Sequence, residues 1–148
     1  MTDIRTTIAD TRFDVRVCGL LLDGERFVVS TEEDGTRTLP GGAVKIGETT
    51  EAAVIREFYE ETNLQVQPRC LLAIIENHFE LKQQRHQQII FVYELTKSKE
   101  DQILQKEAVL AQWQPLTEIV HLKPTGLKQL LGSSETPLHI INKEGTIA

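Results

Sequence analysis

The chain has 148 residues, 40% of them apolar and 26% charged, with a formal net charge of −6 and a pI of about 5.2. That is enough chain for one domain with a full core, and its acidic balance argues against a nucleic-acid polymer or an anionic membrane as the main partner. No apolar run approaches the ~20 residues of a membrane span, and the N-terminus lacks a signal-peptide layout. Cys18 and Cys70 sit apart in apolar runs without metal spacing, so a cytoplasmic protein with two buried free thiols is expected.

Residues 1–12 are polar and Thr-rich and read as an N-terminal arm or an edge strand. Asp14 to Leu22 reads as a strand, Asp23-Gly24 as a hairpin turn, and Arg26 to Ser30 as the returning strand. A second turn at Glu32 to Gly35 leads through Thr36 to Leu39 into Pro40-Gly41-Gly42, where two residues without Cβ let backbone approach a ligand. Thr49 is the expected N-cap of a helix over about 49–63, with Glu51 in its first turn. At 100° per residue, Ala52, Ile55, Phe58, Tyr59 and Thr62 are expected on its core side. Gln65 to Glu76 reads as a long strand, Lys82 to His86 as a basic, polar loop, and Ile89 to Leu95 as a further strand. Ala108 to Pro115 returns as a short strand carrying the single Trp113, and Pro124 opens a final helix that Gly132 ends. Residues 133–148 form a C-terminal tail in which Leu138 to Ile141 is a candidate edge strand. Strands interspersed with two helices predict an α/β layer structure of one domain over 1–148.

The stretch that carries chemistry is Gly41 to Leu64. Glu57, Glu60 and Glu61 recur at i, i+3 and i+4, so their carboxylates are neighbours on one helix face. Such a cluster is either a solvated face that tolerates mutual repulsion or a site for a hard cation, Mg²⁺ or Mn²⁺, which takes carboxylates, waters and substrate phosphates. The Gly-Gly segment beside it adds main-chain groups and favours the second reading.

Gly42, five residues, Glu48, seven residues, then Arg56-Glu57-Phe58-Tyr59-Glu60-Glu61-Thr62-Asn63-Leu64 resembles the signature box of the Nudix hydrolases. Every fixed position matches except the box's last glycine, which here is Asn63, the next best residue for a left-handed helix end. The resemblance implies an α/β/α sandwich with a mixed β-sheet, and divalent-metal-dependent cleavage of the diphosphate bond in a nucleoside diphosphate linked to another group. It implies that Glu57, Glu60 and Glu61 are catalytic metal carboxylates, with the Gly41 carbonyl completing part of the shell. Glu57 or a partner then orients the attacking water. Glu48 and Arg56 are implied as a salt bridge that fastens the loop to the helix. A later-loop carboxylate is implied too, with Glu107 the candidate and Glu94 the weaker one.

Outside the box, Arg85 and His86 are candidate phosphate contacts, and Phe79, after Glu76-Asn77-His78, is a candidate base-stacking ring. Both placements compete with blander ones, exposed loop residues and core. The family's ADP-ribose and dinucleoside-polyphosphate members tend to carry a Pro or a Tyr about where Phe79 to Leu81 stand here, and neither mark is present. A small-molecule nucleotide is therefore the expected partner, with the class left open, and a homodimer is compatible with the chain. The alternative function is a Nudix-fold sensing or scaffold domain without catalysis. The retention of all three glutamates argues against it.

Overall fold

The computed structural model describes residues 2–99, 102–104, 109–132 and 135–144. Among them, nine strands form one mixed sheet: β1 (Arg5–Ile8), β2 (Thr11–Asp23), β3 (Arg26–Thr31), β4 (Arg37–Thr38), β5 (Gly41–Ala43), β6 (Val66–Leu81), β7 (Gln84–Lys97), β8 (Leu110–Pro115) and β9 (Leu138–Glu144). Along the main path the order is β4-β3-β2-β7-β6-β9, with β2–β7 and β6–β9 parallel. The N-terminal edge strand and the strand in the C-terminal segment are thus both present, as β1 and β9.

β2 organises the molecule because its partner changes along its length. One side runs parallel to β7 from Thr11 to Leu21. The other side pairs in turn with β1 (Arg5↔Asp14 to Ile8↔Thr11), with β5 (Arg16↔Ala43 to Cys18↔Gly41), and with β3 at Leu22↔Phe27. The Gly41–Gly42 segment is thereby fixed beside the middle of β2 rather than left as a free loop.

Two apolar clusters cover the two sheet faces. Alternation in β2 sends Val17 and Leu21 to one face, where they meet Val54 and Phe58 of α1 (Thr50–Thr62), and sends Cys18 and Leu20 to the other, where they meet Ile119, Leu122 and Leu127. The second cover is two short 3₁₀ helices, Leu116–His121 and Thr125–Leu131, in place of the one α-helix expected after Pro124. Pro124 does flank the second of these, and Gly132 closes it. A buried amide ladder ties that layer down: Asn142 donates to Asn77 Oδ1 at 2.9 Å while its own Oδ1 accepts from the Gly126 N–H at 2.7 Å.

Three sequence readings need correction. The Lys82 to His86 loop is only a two-residue turn, Lys82-Gln83, with φ of 51° and 67°; Arg85 and His86 already belong to β7. A turn with both central residues in the left-handed region is normally announced by Asn-Gly or Asp-Gly, and this one is not. The buried side of α1 consists of Ala53, Val54, Phe58, Glu61 and Thr62, so the stripe is rotated from the expected one: Tyr59 is exposed and Glu61 is inside. Cys18 is buried, whereas Cys70 is only half-buried; both are free.

Candidate functional site

α1 begins and ends as its residues dictate. Thr49 lies in extended backbone and its hydroxyl accepts the Ala52 N–H at 3.1 Å. Asn63 takes the left-handed conformation at φ 70°, the backbone a terminal glycine would supply, and its N–H bonds the Tyr59 carbonyl at 2.8 Å. The Thr50 hydroxyl lies 2.6 Å from the Tyr93 hydroxyl on β7, which pins the helix start to the sheet.

Glu61 is 5% exposed. A carboxylate taken out of water is costly unless its lone pairs are used; here one oxygen accepts the Gly41 N–H at 2.7 Å. Glu57 lies against Gly42 so closely that a Cβ there would come within 3.0 Å of three atoms of its carboxylate. The glycine pair is therefore required by contact as well as by turning: Gly42 leaves room for Glu57, and at Gly41 a Cβ would strike the Val17 carbonyl and the Cys18 backbone.

Arg56 binds the cluster together. Its Nε and Nη2 donate to Glu48 at 2.6 and 2.9 Å, the fork geometry that suits a carboxylate. Nη1 reaches Glu57 at 2.8 Å and Glu60 at 3.3 Å, and Nη2 also reaches the Ala43 carbonyl at 3.2 Å. Glu48 caps its own turn as well, accepting the Lys45 N–H at 3.0 Å. The Arg56 hydrogen bond holds the Glu48 carboxyl below the usual range, and Glu48 holds Arg56 firmly protonated. Beside them, burial pushes the Cys18 thiol up to about 12, against the opposing pull of Arg16 and with a further push from Glu61. It stays neutral and packs as an apolar group.

The donor set suits a hard divalent cation: oxygen-only, acidic, and partly buried beside a glycine bend. Among the described residues no three His, Cys, Asp or Glu side chains are already gathered around a single point. Arg56 lies against two of the three glutamates and offsets their repulsion.

A cleft of about 600 Å³ adjoins this cluster at Gly41, Gly42 and Cys18. Its floor is the sheet face opposite α1, and strand register arranges the floor in rows. Arg12, His86 and Phe79 are successive cross-strand partners; so are Asp14, Gln88 and Asn77, and next Arg16, Ile90 and Ile75. Phe79 and His86 stack with centroids 4.6 Å apart and planes within 2°. Buried Asp14 takes Arg5 at 3.3 Å and Arg16 at 3.1 Å, holding two arginines toward the cleft.

Of the residues singled out in the sequence, Gly41, Glu48, Arg56, Glu57, Glu60 and Glu61 come together, and Phe79 and His86 line the cleft. Arg85 does not line it: it projects from β7 at the alternate position and lies 4.0 Å from Asp10. Glu94 pairs with Arg69. Glu107 lies outside the described residues. Sequence reading missed Arg5, Arg12 and Arg16, which have ordinary strand spacing and become a group only through β1–β2 pairing.

The NUDIX domain family model matches residues 12–131. A MutT-like protein of Streptomyces ambofaciens is 35% identical over 65 residues, which are 43% of this chain and 42% of that protein, so the match spans less than half the length of that relative. Among solved structures, a MutT protein from Bacillus halodurans is similar with a TM-score of 0.70 at 17% identity, covering 88% of each chain. An ADP-ribose pyrophosphatase from Streptococcus suis has a TM-score of 0.62 at 15% identity, covering 86% of this chain and 98% of its own. At these identities the structural likeness concerns the fold.

Proposed function

We propose, from the premise that this chain belongs to the Nudix family, that it is a divalent-metal-dependent hydrolase cleaving the diphosphate bond of a nucleoside diphosphate linked to another group. The observation that carries this reading is the Glu61 carboxylate, buried on the core side of α1 where Val or Leu would stabilise the fold better, and aimed at the Gly41 turn. A buried acid on a ridge with two more acids suits a hard cation that also takes waters and phosphate oxygens.

Glu57, Glu60 and Glu61 would hold Mg²⁺ or Mn²⁺, with the Gly41 carbonyl as a further ligand. The bound ion supplies charge neutralisation at the phosphoryl oxygens, lowering the barrier to attack by water. The chain's own residues do the rest. Gly41 lets the turn lie directly against β2, and Gly42 leaves room for the Glu57 carboxylate beside it. Arg16, cross-strand from Ala43 and steadied by Asp14, is placed to hold a phosphate oxygen beside that turn. Arg56 and Glu48 act through position, fixing the turn to the helix so that the acids keep their spacing.

A panel of nucleoside triphosphates, nucleotide sugars and ADP-ribose with Mg²⁺ or Mn²⁺, scored as phosphate after phosphatase coupling, tests the reading. Metal-dependent release from at least one substrate, reduced by orders of magnitude in Glu60→Gln or Glu61→Gln variants that still fold, is expected. Full turnover by those variants at saturating Mg²⁺ overturns it. Nucleotide binding without any turnover favours the non-catalytic sensing domain.

A further inference from the structure

The cleft floor extends well beyond the Gly41–Gly42 turn. Three arginines line it, Arg5, Arg12 and Arg16. Arg5 and Arg16 share Asp14. Arg12 is exposed, and no carboxylate among the described residues lies within ion-pair reach of it. Besides Asp14, the acids that line the cleft are Glu32, Asp34, Glu80 and Glu144; Asp34 accepts the Thr36 N–H at 2.9 Å, and Glu144 accepts the Thr125 N–H at 3.0 Å and Lys123 at 3.3 Å.

Position decides what Arg12 is for. Arg16 is the register partner of Ala43, next to Gly42. Arg12 is four residues further along β2, which at the rise of a strand is about 13 Å away. That exceeds the length of a diphosphate and matches a diphosphate with a sugar attached. The neighbours of Arg12 in its row are His86 and, beyond it, Phe79. Burial, and then Arg12 itself, push the His86 pKa down, so the imidazole is neutral at neutral pH and adds no second cation. The row therefore offers one guanidinium beside a flat, uncharged pair of stacked rings. This is an arrangement for an anionic group attached to a sugar or base, away from the scissile bond.

We infer that the substrate, on the reading proposed above, bears a second anionic group, a phosphate monoester or a carboxylate, which Arg12 binds beside the Phe79–His86 stack. Arg12 is then a specificity residue that contacts substrate remote from the reacting phosphorus. It selects substituted nucleoside diphosphates over plain ones.

Matched pairs with Mg²⁺ test this: ADP-ribose against its 2′-phosphorylated form places the extra charge on the nucleoside ribose, and UDP-glucose against UDP-glucuronic acid places it on the other group. In at least one pair kcat/KM should favour the extra anion by about tenfold, the worth of one charge-assisted contact. Arg12→Gln should bring that ratio close to one. Arg26→Gln, which removes the guanidinium stacked 4.4 Å over Trp113, should leave it intact. Calorimetry of AMP against adenosine 2′,5′-bisphosphate, and of UDP-glucose against UDP-glucuronic acid without divalent metal, reads the same discrimination without turnover. Ratios near one in both pairs, or a preference that survives Arg12→Gln, overturn the inference while leaving the hydrolase reading in place. Absence of metal-dependent cleavage with Arg12-dependent binding retained overturns the hydrolase reading alone.

Discussion

Alanine at the two adjacent glycines should fail in two different ways, and the difference follows from what each new Cβ would meet. At Gly41 the obstacles are the Val17 carbonyl oxygen and the Cys18 Cα and Cβ, two of these three being main chain of β2. Relief requires β2 and β5 to separate at the centre of the fold, and overpacking of that kind costs about 3 kcal/mol or more. At Gly42 the three nearest atoms are those of the Glu57 carboxylate, the far end of a side chain with three rotatable bonds that also pairs with Arg56. Neither glycine has a positive φ, so the backbone itself accepts alanine. Gly42→Ala should then cost about 1 kcal/mol, the strain of one displaced rotamer. Displacing a proposed metal carboxylate by an ångström is different in kind, and turnover should fall by about 100-fold. Urea unfolding and initial-rate assays across a Mn²⁺ titration separate the two quantities. Gly41→Ala should be unstable; Gly42→Ala should melt near wild type, yet need more Mn²⁺ and turn over slowly. A Gly42→Ala protein with wild-type activity and wild-type Mn²⁺ dependence would refute the role given to Glu57.

Further expectations can be checked with the same assays. Glu48→Gln removes half of a forked ion pair and should cost about 2 kcal/mol in urea unfolding. Because Arg56 lowers the Glu48 pKa in the folded protein, the stabilisation is present above the unfolded carboxyl pKa and is lost as pH falls through the folded one. Wild type should thus lose stability more steeply than Glu48→Gln below about pH 4.3, and parallel pH profiles would refute the pair's importance. Asn63→Gly should be neutral or mildly stabilising and Asn63→Ala should cost about 1 kcal/mol, since the position is left-handed; equal stability of the two would refute the capping argument. Tyr59→Ala removes an exposed ring and should change stability little, where the stripe read from sequence would have made it a core truncation.

Contiguity decided what could be read from the chain. The Gly41–Leu64 stretch carries its own caps, its loop anchor and its acids within one loop and one helix, so local rules place them. The helix ends at Thr49 and Asn63 fall where capping chemistry puts them. The rotation of α1 did not follow from periodicity because Glu61 occupies a core position, and a pattern rule assigns a carboxylate to the surface. The Lys82-Gln83 turn escaped because neither residue favours positive φ. The cleft was least legible of all: Arg5, Arg12 and Arg16 are ordinary strand residues until β1 folds back on β2 and β2 lies parallel to β7. Parallel partners distant in sequence leave no short-range mark.

The proposed hydrolase activity depends on the glutamate ridge of α1 holding a cation. Manganese anomalous scattering from crystals soaked in Mn²⁺ tests that most directly. A peak within bonding distance of the Glu57, Glu60 and Glu61 carboxylates beside Gly41, lost in Glu61→Gln, is predicted. A clean map there at a Mn²⁺ concentration that saturates turnover, or a peak indifferent to Glu61, would contradict it.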